Sequence, residues 1–295
     1  MTGPAGRSVQ TVQPTFVLVH GAFANSFCFT PLQAELGLLG HRSVAVDLPG
    51  HGFAATWPHA YQAPQDPEGL AAAPGAMKGV TLADNVAHLV GVLERAKANG
   101  PVLLVAHSRG GITATAAANA RPDLIDRLVY VSAWAPVELE PGQYYAEPEM
   151  ATADPASLAL ALVGSPAELG LLRVNFRTAD REALAAFRAA FLADGTDDEF
   201  LALLGTFQPD ESLDTGTPAD RARAETWGRV PRTYVRLADD ASLPPALQDR
   251  LIREGDALTP DNPYDVRTLP GSHLKWLVDP APAARLLGEL AALTG

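Results

Sequence analysis

"VLLVAHSRGG", Val102 to Gly111, decides the fold. Four apolar residues, Val102 to Val105, end at a short polar and glycine-rich break, Ala106-His107-Ser108-Arg109-Gly110-Gly111. The apolar run follows Gly100-Pro101 and reads as a strand buried on both faces, while alanine-rich Ile112 to Ala120 reads as a helix. A plain loop, a phosphate-binding turn or a nucleophile elbow could each join the two. A phosphate loop requires Gly-Lys-Ser/Thr, and Arg109-Gly110-Gly111-Ile112 supplies no lysine. An elbow requires a serine among small neighbours, because strand and helix backbones approach closely at the sharp turn that exposes the hydroxyl. Gly110 fits that spacing; Ala106 stands where glycine is usual and adds one methyl group.

A serine hydroxyl is a weak nucleophile until a base takes its proton. Among seven histidines, His273 ends the turn Pro270-Gly271-Ser272-His273 between an expected strand and the last helix. That is where the base falls in the chain order serine, acid, histidine. The others have plainer readings. His41 and His59 sit in polar turns, His88 on a helix, His20 and His51 beside glycine turns, and His107 is expected to pack against the sheet. The acid belongs in a loop at the carboxyl end of a strand. Thr233 to Ala238 leads into Asp239-Asp240, and spacing alone does not choose between the two. A tetrahedral oxyanion needs two N–H donors. Arg109 would supply one, and the turn Val19-His20-Gly21-Ala22-Phe23 the other, with Ala22 the first candidate and Phe23 the second. The Arg109 side chain is expected either to be solvated or to reach the entrance and meet a substrate carboxylate.

Outward from this break, short apolar runs alternate with helical patterns. Phe16–Val19, Ser43–Val46 and Leu128–Val131 read as strands. Thr81 caps a helix with Asp84 at its third position, and Leu82, Val86, Leu89, Val90 and Leu93 form its apolar face. Trp57 to Met77 has no clear period and reads as a long surface excursion. From Val137 to Trp227 strand signals vanish, and helices are expected at Pro155–Val163, Asp180–Leu192 and Asp198–Leu204. Alternation then resumes through a strand at Thr233–Leu237, a helix at Pro245–Arg253, a strand at Tyr264–Leu269 and a helix at Pro282–Leu293. The expectation is one α/β domain over 1–295, a mostly parallel sheet flanked by helices, with a helical lid at 137–227 inserted between two strands. Tyr144, Tyr145, Phe176, Phe187, Phe191, Phe200 and Phe207 are expected to pack the lid helices, some of them lining a mostly apolar pocket.

With 295 residues and 47% hydrophobic content, the chain can bury a sizeable core. A net charge of -12, with lysine only at positions 78, 97 and 275, argues against a nucleic-acid partner. Cys28 is the sole cysteine, so no intrachain disulfide is expected. MTGPAGRSVQTVQPTF lacks the apolar core of a signal peptide, and no run approaches the ~20 apolar residues of a membrane helix. A cytoplasmic protein is the expectation, with a homodimer allowed for. No metal or organic cofactor is implied, since neither His-Glu-x-x-His nor Gly-x-Gly-x-x-Gly occurs.

Three stretches together resemble the α/β-hydrolase superfamily: FVLVHGAFANSFCFTPLQAELGLLGHRSVAVDLPGHG, VLLVAHSRGG and VPRTYVRLADDASLPPALQDRLI. Within it they resemble the plant methylesterase and hydroxynitrile lyase group and its bacterial relatives. The likeness covers residues 15–52, 80–136 and 227–293 and is far weaker in between. It implies Ser108 as nucleophile, His273 as base, and Ala22 with Arg109 as the oxyanion hole. It also selects Asp240 as the acid, counted from Tyr234, with Asp239 as fallback. The antiparallel strands that open many members are expected to be missing here. Cyanogenic lyases of the group carry threonine after the first histidine and lysine directly after the catalytic one. Gly21 and Leu274 stand in those places, and Lys275 is one residue late. Dehalogenases and epoxide hydrolases of the superfamily carry aspartate at the elbow, where this chain has Ser108. The expected function is hydrolysis of a carboxylic ester or lactone of a small, largely apolar substrate, through an acyl-enzyme. The rivals are a serine-triad lyase or carbon–carbon bond hydrolase, and a binding protein that keeps the fold without turnover.

Overall fold

The computed structural model describes residues 13–153 and 156–294. In chain order its strands are β1 (Thr15–Val19), β2 (Arg42–Val46), β3 (Val102–Ser108), β4 (Arg127–Ala133), β5 (Leu172–Arg173), β6 (Asp210–Glu211), β7 (Arg232–Leu237) and β8 (Asp265–Leu269). Six of them form one sheet in the order β2-β1-β3-β4-β7-β8, every neighbouring pair parallel. The central strands lack polar alternation because both faces of the sheet are covered. Phe16 and Leu18 point into one core with Leu32, Leu36, Leu287 and Leu290. Val17 and Val19 point into the other with Leu89, Leu93, Leu247 and Leu251. The edge strands carry the polar residues instead: Arg42 in β2 and Arg267 and Thr268 in β8 are exposed.

Local signals explain the helices. Thr81 Oγ1 accepts the Asp84 N–H while Asp84 Oδ2 accepts the Thr81 N–H, and this reciprocal cap starts Leu82–Lys97. The helix Gly110–Ala120 is buried almost all round, which its alanines and glycines permit without crowding. Pro245 opens a helix that runs on to Leu258, five residues beyond its expected end.

Between β4 and β7 the chain makes an insertion above the carboxyl ends of the strands. Its helices Arg181–Phe191 and Asp197–Leu204 start at side-chain caps on Asp180 and Thr196. Phe176 packs against Phe23, Phe187 and Phe207, so the aromatics hold the insertion together and join it to the loop after β1. Three expectations need correction. The insertion does contain strand, the antiparallel pair β5–β6, too short to leave a periodic trace. The helix expected at Pro155–Val163 is confined to Ala156–Ala159 among the described residues, because Leu162 pairs across to Val174; Pro155 lies outside them. The excursion Trp57–Met77 is partly internal: Tyr61, Leu70 and Met77 are buried, and Arg173 donates to the carbonyls of Leu70 and Ala73. Arg173 also forms a fully buried fork on Asp210, at 2.6 and 2.7 Å.

Candidate active site

Ser108 ends β3 with φ +51, a left-handed conformation rare for a residue with a side chain. Close packing imposes it. A Cβ on Gly110 would lie 2.4 Å from the His20 carbonyl oxygen, and one on Gly111 2.1 Å from that of Trp134. Only glycine lets the elbow helix come so near β1 and β4. Gly21 is a third such contact, where a Cβ would stand 2.8 Å from Ser108 Cβ.

His273 follows β8, and its Nδ1 lies 2.6 Å from Asp240 Oδ2 in the loop after β7. The same oxygen accepts the Ser132 hydroxyl at 2.6 Å, and Asp240 Oδ1 accepts the N–H groups of Ser242 and Leu243. Four contacts thus fix a carboxylate that is buried with its histidine. Asp239 faces elsewhere and accepts the Gly271 N–H at 3.0 Å. His107 lies under His273, ring to ring at 4.5 Å, with Nε2 3.2 Å from the His273 carbonyl oxygen. Burial first, and His273 second, push its pKa well below the usual histidine value, so it is a neutral platform. Ser108 and His273 share the wall of one pocket. Among the described residues no side chain hydrogen-bonds Ser108 Oγ; such contacts often tighten only around substrate.

The N–H groups of Ala22 and Arg109 have no acceptor among the described residues. The Phe23 N–H, the second candidate for the oxyanion, is already given to Glu211 Oε2 at 2.9 Å. The Arg109 side chain is partly exposed, in keeping with the first expectation, but it is also engaged by the insertion and does not line the pocket. Its Nη2 donates to the carbonyls of Ser212 and Asp214 in the insertion, and its Nε lies 3.7 Å from Glu211. Glu211, Ser132 and Asp194, whose carboxylate takes both the N–H and the hydroxyl of Ser272, escape sequence reasoning. No motif marks them, and their partners lie far along the chain.

The pocket encloses about 830 Å³ including its open mouth. Phe23, Trp134, Met150, Phe191, Phe207, Leu243 and Leu274 make most of its wall, Tyr145 stands half exposed, and among the described residues no aspartate, glutamate, lysine or arginine lines it. Leu274 is buried, and Lys275 turns outward to within 3.8 Å of Glu199. Among the described residues no group of three or more His, Cys, Asp or Glu side chains is disposed to hold a metal ion. No helix among them is long and apolar enough to cross a membrane.

Comparison with known proteins agrees with this fold. The model of the alpha/beta hydrolase family matches residues 16–287. Methylesterase 9 of Arabidopsis thaliana is 32% identical over 132 residues, which are 45% of this chain and 44% of that protein, so the match spans less than half of the relative. A pyrethroid hydrolase of Sphingobium wenxiniae is 24% identical over 277 residues, 93% of this chain and 86% of its own. Among solved structures, polyneuridine aldehyde esterase superposes with a TM-score of 0.68 at 19% identity, over 95% of this chain and 99% of that one. That last likeness speaks to the fold alone.

Proposed function

Because the chain belongs to the alpha/beta hydrolase family, we propose that it hydrolyses a carboxylic ester or lactone through a Ser108-His273-Asp240 triad. The observation that carries this reading is the convergence of a left-handed Ser108 and an aspartate-held His273 on one largely apolar pocket. Ser108 Oγ attacks the carbonyl carbon while His273 Nε2 takes its proton. Asp240 holds the ring by Nδ1 and stabilises the imidazolium that forms. The N–H groups of Ala22 and Arg109 receive the oxyanion of the tetrahedral intermediate. The intermediate collapses, the imidazolium protonates the leaving alkoxide, and an acyl-Ser108 remains. Water repeats the cycle with His273 as base, releasing the acid and the free serine.

The insertion acts as a lid that supplies much of the acyl or alcohol wall. Among the described residues a charged group would lose hydration there without gaining an ionic partner, so a small, neutral and largely apolar ester fits best. Relatives named as a methylesterase and a pyrethroid hydrolase accord with this substrate class. Cyanohydrin cleavage is disfavoured, since cyanide leaves as an anion and buried Leu274 offers it no counter-charge.

Labelling with a fluorophosphonate probe, followed by product analysis on short-chain aryl esters and on mandelonitrile, tests the reading. Labelling of Ser108 with ester cleavage supports it. An inert serine would point to a binding protein, and cyanide release without ester cleavage to a lyase; either overturns it.

A further inference from the structure

Glu211 lies in the insertion, yet its carboxylate reaches into the core beneath the proposed oxyanion hole and is buried there. Oε2 accepts the Phe23 N–H at 2.9 Å and lies 3.4 Å from His51 Nε2. Oε1 accepts the Ser212 N–H at 2.8 Å and lies 3.7 Å from Arg109 Nε. The two proposed oxyanion donors are the N–H groups of Ala22 and Arg109. One carboxylate therefore grips the residue next to the first donor and the side chain of the second.

The loop it grips needs holding. Phe23 has φ +57, a strained conformation that persists only where its surroundings over-determine it. His20 assists from the other side: Nδ1 donates to the Gly21 carbonyl at 2.9 Å, and Nε2 accepts the Leu48 N–H. A buried ion pair is weak evidence for stability, because well-packed apolar residues often serve a fold as well or better. Burial alone would raise the Glu211 pKa; Arg109 and His51 outweigh it and keep the group ionised. A full charge is thus retained at the one place where it spans both donors.

We infer that Glu211 is a positioning residue for ester hydrolysis, setting the spacing of the Ala22 and Arg109 N–H groups so that both meet the oxyanion. This inference rests on the hydrolase reading above. It makes the lid a working part of the oxyanion hole as well as a wall of the pocket. Such a residue acts on the transition state and leaves ground-state binding alone, so its loss lowers kcat and spares KM.

The test measures kcat and KM on a short-chain aryl ester for the wild-type enzyme, Glu211→Ala and Glu211→Gln, beside melting temperatures. Removing an oxyanion donor outright costs about 10²–10³ in kcat. A misplaced donor retains part of its effect, so Glu211→Ala should lose roughly 10- to 100-fold in kcat, with KM held within about 3-fold. Glu211→Gln keeps an oxygen for the Phe23 N–H and should recover a substantial part of the loss. A purely structural role would instead lower the melting temperature and leave kcat per labelled serine intact. That result, a change confined to KM, or a glutamine variant no better than alanine would overturn the inference. Should Glu211→Ala fail to fold, the isosteric glutamine variant decides, and wild-type kcat in it would count against the proposal. Absence of Ser108-dependent hydrolysis in the wild-type protein would overturn the hydrolase reading and this inference with it. Wild-type turnover with an unaltered Glu211→Ala kcat would overturn this inference alone.

Discussion

The carboxylate of Asp240 stands 2.6 Å from Nδ1 of His273, and the two residues come from the loops that follow adjacent parallel strands. The β7–β8 pairing sets the separation of these loops, so the contact is anchored in the sheet. Ser132 ties it also to the end of β4, through its hydroxyl on the same Asp240 oxygen.

Asp240→Asn should therefore present the wrong group to the imidazole, with a loss of about 10⁴-fold in kcat, as when the acid of other serine triads is amidated. Asp239→Asn alters only an acceptor for the Gly271 N–H and should cost far less. Steady-state rates of the two variants on one ester check the assignment. Equal or reversed losses would refute it.

Ser108→Ala should remove turnover, with losses on the order of 10⁶-fold, and should change stability little. The position offers a finer check. Alanine inherits the left-handed backbone at φ +51, whereas glycine adopts it freely. Ser108→Gly should be equally inactive yet more stable than Ser108→Ala by about 1 kcal/mol. Urea denaturation of the two inactive variants reads the difference, and equal midpoints would show that the elbow is unstrained.

Gly21→Thr with Leu274→Lys installs the two residues that the cyanogenic lyases carry. It should not confer cyanide release from mandelonitrile, and it should depress ester hydrolysis. A Cβ at position 21 would meet Ser108 Cβ at 2.8 Å and Oγ at 3.3 Å, so the nucleophile itself would have to move. Gly21→Ala alone should show most of that loss on an aryl ester. An active Gly21→Ala enzyme would mean that the elbow yields more easily than its packing implies.

Acid should weaken the fold through His20. Burial first, and His51 second, push its pKa down to about 3 from an ordinary 6.5. Between those values the unfolded chain takes up a proton that the folded one refuses, so stability is complete above pH 6.5 and falls as pH drops towards 3. Glu211, held below the usual carboxylate range, acts in the same direction at lower pH. His51, raised by Glu211 against the effect of burial, opposes them in part. One such proton is worth about 1.4 kcal/mol per pH unit. His20→Asn should flatten the acid limb of unfolding free energy measured in urea between about pH 6.5 and 4. An unchanged slope would remove His20 as its cause.

The fold was legible wherever a signal is local. The Thr81–Asp84 cap, the apolar run of β3 and the small residues around Ser108 each depend on neighbours a few positions away. Asp239 and Asp240 were indistinguishable by spacing because both follow β7; the family resemblance favoured Asp240, and in the structure His273 after β8 meets Asp240 while Asp239 meets Gly271. The Arg109 side chain was opaque for another reason. Its partners are backbone carbonyls at Ser212 and Asp214, and any sequence supplies carbonyls. β5 and β6 have two residues each, a single period of alternation and too little to repeat. Glu211 and Phe23 meet across 188 positions, and neither belongs to a pattern that would announce the other.

The insertion between β4 and β7 is fastened to each loop proposed to carry chemistry. Glu211 holds the turn after β1, Ser242 in the acid loop donates to the Ala190 carbonyl, Leu274 beside the histidine donates to that of Phe191, and Arg109 is hooked to Ser212 and Asp214. Recombination therefore faces an uneven landscape. A foreign lid grafted between β4 and β7 would arrive without these four fastenings, and would disturb the rate even where its pocket wall suited the new substrate. Variation in specificity is expected to accumulate by single replacements at wall positions such as Met150 or Phe207, while the fastenings are inherited as a block with the core they grip.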